Sequence, residues 1–250
     1  HQGFWGKKLM EAILMRAGSF MAVIILGYVL KKVGFFKEDD FYVMSKIMVK
    51  ITLPASIIVN FSQTKMEPSM FLLCLLGLGG GILYMALGWI MGGKDPDEKG
   101  FQILNLSGYS IGSFTMPFTS SFFGPAGVVV TSLFDTGNAV IALGGSYSIG
   151  AMVKNREKKF SFIPLCKILL CSVPFDAYLF MYILYWLHLS LPVPVLNIAQ
   201  LVANANAFLA MLMLGVGFKL SGDRTQMSKI VKMLGVRYGV AVLTAAAFYF

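Results

Sequence analysis

The sequence predicts an all-α integral membrane protein, on three observations. Apolar residues make up 57% of the 250-residue chain, charged residues make up only 13%, and apolar runs long enough to cross a bilayer follow one another along it. A water-soluble domain carries about 25% charged residues, so the polar side chains here are too few to coat one. A crossing helix takes roughly 20 apolar residues, which allows at most about ten spans with short connections. With a mean hydropathy of +0.73, a soluble enzyme, a disordered chain and a secreted disulfide scaffold are excluded.

Eight apolar runs justify that class in turn. The first covers about 12–33 and stops at Lys31-Lys32-Val33-Gly34; the second, about 40–62, contains Leu53-Pro54-Ala55. The third, about 68–92, is rich in glycine (Gly77, Gly79, Gly80, Gly81), and the fourth, about 100–123, mixes Gly108, Gly112 and Pro117 with serines and threonines. The fifth to eighth occupy about 125–152, 162–187, 196–219 and 227–250. Gly77 to Gly81 lies inside an apolar span with no strand before it, so it serves close helix packing rather than nucleotide binding. Abundant Met and Phe read as lipid-facing and core packing, and Trp5 and Trp186 as interfacial anchors.

The net charge of +9 would suggest nucleic acid for a soluble protein. In a membrane protein the same excess belongs to cytoplasmic loops, so no nucleic-acid partner is expected. Lys31, Lys32 and Lys37 follow the first run, and Lys94 and Lys99 the third. Lys154, Arg156, Lys158 and Lys159 follow the fifth, and Lys219, Arg224 and Lys229 the seventh. The intervening loops carry only Lys65. This alternation places the odd-numbered loops in the cytoplasm and the N-terminus outside a cell membrane, against Lys7, Lys8 and Arg16. Lys46, Lys50 and Lys167 lie close enough to the cytoplasmic face to snorkel. Cys74, Cys166 and Cys171 show neither a CxxC nor a metal spacing, and His1 and His188 cannot build a metal site. The opening at His1 suggests a trimmed chain, and the first run is too long for a cleavable signal peptide. No cofactor is expected.

The stretch from Asn105 to Pro117 carries the functional reading. Pro117 removes a backbone donor and disfavours helix at Met116, and Gly112 permits close approach or unusual dihedrals. Irregular backbone at membrane depth survives only when buried in protein or lining a cavity. The hydroxyls of Ser107, Ser110, Ser113 and Thr115 can pair with freed backbone groups or with a substrate. A Gly/Pro-interrupted span points to a transporter site, and a kinked packing helix is the structural alternative. After a turn at Phe123-Gly124-Pro125-Ala126-Gly127, Asp135 and Asn138 share a helix face. An Asp within a span costs about 3 kcal/mol at mid-depth, so Asp135 faces a polar interior. It either bonds the broken fourth segment or serves substrate or ion directly. Asp176, after Pro174, is a second intramembrane carboxyl, read as a proton site, a partner of unwound backbone or a protonated carboxyl in an apolar setting.

Together these residues resemble the auxin efflux carrier family, permeases within the bile acid/sodium symporter-like superfamily. The resemblance rests on Leu26-Gly27-Tyr28-Val29-Leu30-Lys31-Lys32-Val33-Gly34 at the end of the first helix, then Leu53-Pro54-Ala55. It continues through Ser110-Ile111-Gly112-Ser113-Phe114-Thr115-Met116-Pro117, Phe123-Gly124, Leu133-Phe134-Asp135-Thr136-Gly137-Asn138 and Leu191-Pro192. It covers nearly the whole chain. Two positions depart from the family pattern: the crossover Asn is Ser110 and the second Gly is Thr115, so plant-auxin chemistry is not carried over. Asn105 is a candidate substitute polar group.

The resemblance implies a sodium/proton antiporter-like fold of ten helices in two inverted repeats, with crossover helices four and nine meeting at mid-membrane. Residues 1–155 would form the first five-helix repeat and 156–250 the start of the second (helices six to eight), so a truncated or incompletely covered protein is expected.

The function so implied is a secondary transporter moving a small organic anion, dicarboxylates first, by elevator-like alternating access. No GxxxxGK[ST] loop for ATP is present. Substrate-binding candidates are Asn105, Ser110, Gly112, Thr115, Pro117, Asp135 and Asn138; Asp135 and Asp176 are candidates for coupling to H+ or Na+. The expected partners are the organic anion, the bilayer and a second copy of the chain in a homodimer. The alternatives are a membrane-embedded enzyme using Asp135 and Asp176, and a transport-inactive receptor or scaffold.

Overall fold

The structure is a computed structural model describing residues 2–154, 162–219 and 224–249. His1, Arg156, Lys158, Lys159 and the boundary between 155 and 156 lie outside the described residues, as do the side chains of Trp5, Lys7, Lys8, Ser113 and Arg224.

The described residues are helical and contain no strand. The first apolar run is helix α1 (Gln2–Lys32). The second is α2 (Asp40–Ile47), a wide π-turn over Met48–Thr52, and α3 (Leu53–Gln63). The third is a short 3-10 turn leading into α4 (Leu72–Met91). The fourth begins earlier than its hydropathy suggests, as α5 (Pro96–Leu106). Asp95 caps α5 by accepting from the Asp97 N–H at 3.0 Å, and proline sits in the first turn, where it fits. A break follows, then a second wide turn (Ile111–Thr115) and α6 (Met116–Val140). The expected turn falls inside α6 at Gly124, whose φ of 64° and ψ of −155° only glycine adopts readily.

A third wide turn (Ile141–Gly145) leads to α7 (Ser146–Lys154). The sixth and seventh runs, continuous by hydropathy, are both interrupted. Helices α8 (Phe162–Leu170) and α9 (Val173–Trp186) meet at 81° just before Pro174. Helices α10 (Val193–Ala203) and α11 (Asn206–Gly217) are separated at Asn204 and Ala205. The eighth run is α12 (Arg224–Tyr249).

Two of the three wide turns have one cause. Proline offers no N–H and its ring crowds the carbonyl four residues back, so the ladder shifts to the next carbonyl. The Leu53 N–H, before Pro54, reaches Met48 O, and the Met116 N–H, before Pro117, reaches Ile111 O. The two turns touch: a Cβ on Gly112 would come within 2.8 Å of the Leu53 side chain.

In lipid, helices associate through close packing rather than a hydrophobic drive, so small residues mark the tight crossings. On α4 and α6, a Cβ at Gly77 would meet Phe134 O at 1.9 Å and one at Gly137 would meet Cys74 O at 1.8 Å. On α1 and α11, Gly27 and Gly215 are opposed in the same way, 2.4 Å from Leu212 O and 2.0 Å from Ile24 O. Around these crossings lie two cores. One joins Leu53, Ile57, Met116, Leu133 and Tyr178, and the other joins Met48, Met211, Met213 and Val216.

Ion pairs among the described residues link the odd-numbered loops or their flanking helix ends: Lys219 with Glu38, Lys154 with Asp97 and Lys229 with Glu98, each at 2.8 Å. At the opposite end of α3, Gln63 donates to Gln200 of α10 at 3.3 Å. The Lys219 hydrogen bond holds the Glu38 carboxyl below its ordinary range. The stabilisation from that exposed pair is therefore present at neutral pH, fades as pH falls through the lowered Glu38 value, and is screened by salt.

Gly137→Ala forces a methyl into the α4 backbone and is expected to lower stability by about 1–3 kcal/mol. Gly79→Ala, where nothing lies within 4 Å, leaves stability unchanged. Thermal midpoints of the two variants in one detergent check the pair.

Candidate functional site

The fourth span stops at Leu106 and resumes at Ile111, so Gly108 and Tyr109 lie outside the regular helical ladder. Bare peptide groups at that depth need partners, and side chains supply those of Tyr109 and of the Gly108 carbonyl. The buried Ser107 hydroxyl donates back to Ile103 O at 2.6 Å. The Asn138 side chain serves both sides of Tyr109: its Oδ1 accepts the Tyr109 N–H at 3.3 Å and its Nδ2 donates to Tyr109 O at 3.1 Å. That amide also donates to Asp135 Oδ1 at 3.0 Å, and the Tyr178 hydroxyl donates to Asp135 Oδ2 at 2.8 Å. The chain Tyr178–Asp135–Asn138–Tyr109 thus ties α9, α6 and the break together, and the i, i+3 spacing of Asp135 and Asn138 makes the link possible. A neighbouring bond, Thr136 Oγ1 to Tyr182 Oη at 2.7 Å, holds α9 against α6 again.

Beside this network is a cavity of about 220 Å³. Val49 and Leu53 line it from the first wide turn, Ser110, Ile111 and Gly112 from the break and second turn, and Asp135 and Asn138 from α6. Ser172, Pro174 and Phe175 close it at the start of α9. It lies between two interrupted spans, the fourth and the sixth. A larger hollow of about 670 Å³ lies among Trp89, Lys94, Lys99, Ile149 and Met152, away from the break. It is the weaker site candidate, because it gathers apolar side chains and two lysines rather than convergent polar groups.

Of the residues singled out by sequence, Ser110, Gly112, Asp135 and Asn138 meet at the cavity. Four stand apart from it. Asn105, suggested as a substitute for the family's crossover Asn, is exposed, and its amide donates back to Phe101 O at 2.8 Å. Asp176 is exposed in the first turn of α9, while Tyr178 from the same helix reaches Asp135. Pro117 is buried and acts through the wide turn before it, and Thr115 ends that turn outside the cavity lining. Asp135 lines the cavity and Asp176 does not. Among the described residues no three His, Cys, Asp or Glu side chains gather as a metal site would require.

Three residues escaped the sequence reading. Tyr109 and Tyr178 are aromatic residues inside apolar runs and carry no signal of their own. Arg237 on α12 donates to the Gly108 carbonyl and lies over the Tyr109 ring, 4.4 Å from its centroid. Its signal was legible, since a charge in the middle of an apolar run costs about 2.5–3.5 kcal/mol and marks function.

Asn138→Leu removes the clamp on Tyr109 and leaves peptide groups unpaired, at about 1–3 kcal/mol for each buried group. Faster hydrogen–deuterium exchange confined to the peptides covering 107–112 is the expected result.

A family model described as membrane transport protein matches residues 14–163. The match covers three-fifths of the chain, from α1 through α7, and includes the break and both Asp135 and Asn138. No curated protein and no solved structure matches the chain. By this match the chain belongs to the auxin efflux carrier family and is a multi-pass membrane transport protein.

Proposed function

We propose that the chain is a secondary transporter that moves a small organic anion, with dicarboxylates the first class to test, around the broken fourth span. The observation that carries this reading is the cavity of about 220 Å³ bounded by Ser110, Gly112, Asp135 and Asn138. Drug-sized ligands occupy cavities of about 300 Å³ and more, so this one suits a smaller acid. The half-helix resuming at Ile111 and the start of α9 both open onto it. Helix N-termini present N–H groups and partial positive charge, the sign that favours a carboxylate. Ser110 supplies a hydroxyl in place of the family's amide.

Asp135 gives the coupling its logic. An anion entering beside an ionised carboxylate meets like-charge repulsion. A proton or Na+ on Asp135 removes that repulsion, so cation and anion move together and the gradient drives the acid. Asp176, exposed and away from the cavity, takes no part in this step. Alternating access moves the bundle of the broken span against the bundle holding the first, second, sixth and seventh spans. The positive-inside rule sets the odd-numbered loops in the cytoplasm, and residues 156–250 begin the second, inverted repeat.

Uptake of radiolabelled malate into proteoliposomes, with an imposed proton or Na+ gradient, tests the reading. Asp135→Asn is expected to abolish stimulation by the gradient, and Pro117→Ala to lower flux about tenfold or more through misplacement of the break, with membrane insertion of both preserved. Unchanged uptake in both variants would remove the site assignment.

A further inference from the structure

Arg237 occupies the centre of the eighth span, ten residues from Met227 and ten from Ala247, the ends of its apolar stretch. The ion pairs among the described residues do not include it. Its guanidinium goes to the break instead: an Nη donates to Gly108 O, and the plane covers the Tyr109 ring at 4.4 Å. Tyr84 of α4 stacks edge-on against Tyr109, centroids 5.5 Å apart, and donates its hydroxyl to the Arg237 carbonyl at 2.8 Å. Residues 108 and 109 are therefore gripped from two sides, by the Asn138 amide on α6 and by the Arg237 guanidinium on α12.

Two physical needs meet at this contact. A helix that ends in mid-membrane leaves carbonyls without water, and a cation at its C-terminal end has the sign that stabilises them. Arginine also holds its charge at any working pH and presents a planar fork that can donate and stack at once. We propose that Arg237 is a positioning residue for transport: it fixes Gly108 and Tyr109 so that Ser110 and Gly112 face the cavity, and it supplies a permanent positive charge that favours anions there. This rests on the reading of the break as the substrate site. Arg237 does not line the cavity itself, so its effect on an anion passes through the break and through space.

The test is built to separate this proposal from that reading. In a protein with Cys74, Cys166 and Cys171 replaced by Ser, a Ser110→Cys reporter is modified by an anionic and by a cationic methanethiosulfonate, its thiolate forming a mixed disulfide and releasing methanesulfinate. Arg237→Gln is expected to shift the ratio of the two rates about tenfold toward the cationic reagent. Arg237→Lys keeps the ratio but alters both rates, because the fork and the stack are lost. Equal change of both rates in Arg237→Gln, or no change, overturns the proposal. Should Arg237→Gln fail to give a monodisperse protein, Arg237→Lys decides: a preserved ratio with altered rates supports it, and wild-type rates refute it. Malate uptake by the wild-type protein is scored separately. Its failure sinks the substrate reading and leaves the reporter result standing. Where uptake is present, Arg237→Lys raises the half-saturating malate concentration more than it lowers the maximal rate.

Discussion

A peptide group in hydrocarbon must be hydrogen-bonded by protein, and the rest of this structure depends on how that constraint is met at residues 107–110. Once Gly108 and Tyr109 leave the helix, two N–H and C=O pairs need partners that water would otherwise supply. Side chains reach them from two directions: Asn138 from α6 holds both groups of Tyr109 and Arg237 from α12 holds the Gly108 carbonyl, while Ser107 bonds Ile103 O at the end of the helix. Each of these is expensive in lipid when alone and well placed when paired. The break is therefore a site at which polar residues concentrate because the backbone requires them, and any ligand that enters joins a network already formed.

The prolines make the break local. Pro54 and Pro117 each widen the turn before them, and the widened turns lean on one another through Leu53 and Gly112. The irregular geometry on both sides of the cavity is thus encoded within a few residues, while the glycine crossings at Gly77–Gly137 and Gly27–Gly215 hold the surrounding helices at backbone contact. Those crossings set how far α6, which carries Asp135 and Asn138, stands from α4. A bulkier residue there would shift the clamp as well as the packing.

How much of this could be read from the sequence follows from range. Hydropathy and punctuation located the spans, the Gly124 turn and the unravelled stretch around Ser110, because each is written in neighbouring residues. Hydropathy passed over the bend at Cys171–Ser172 and the break in the helix at Asn204–Ala205, since Pro174 and the Asn residues lie within runs whose average stays apolar. Asp135 and Asn138 were legible as a pair through helical spacing; their partners Tyr109 and Tyr178 were not, since nothing local says which aromatic ring faces which carboxylate. Asn105 and Asp176 show the converse. Both are polar residues at suggestive positions, yet both are exposed and neither lines the cavity. Arg237 lies 129 residues from the carbonyl it meets, so only its cost in the bilayer could have announced it.

The same linkage joins the two roles open to Asp135, as a brace for the break and as a binding group. Its carboxylate accepts from Tyr178 and from the amide that clamps Tyr109, so on the proposed reading the brace and the binding group are one set of atoms. A change of charge on Asp135 alters what the Asn138 amide is offered, and through it the hold on Tyr109. On the proposed reading, cation binding at Asp135 and the geometry presented at Ser110 are therefore not separable events. A transporter needs that property, because binding of one solute must change the terms on which the other is held.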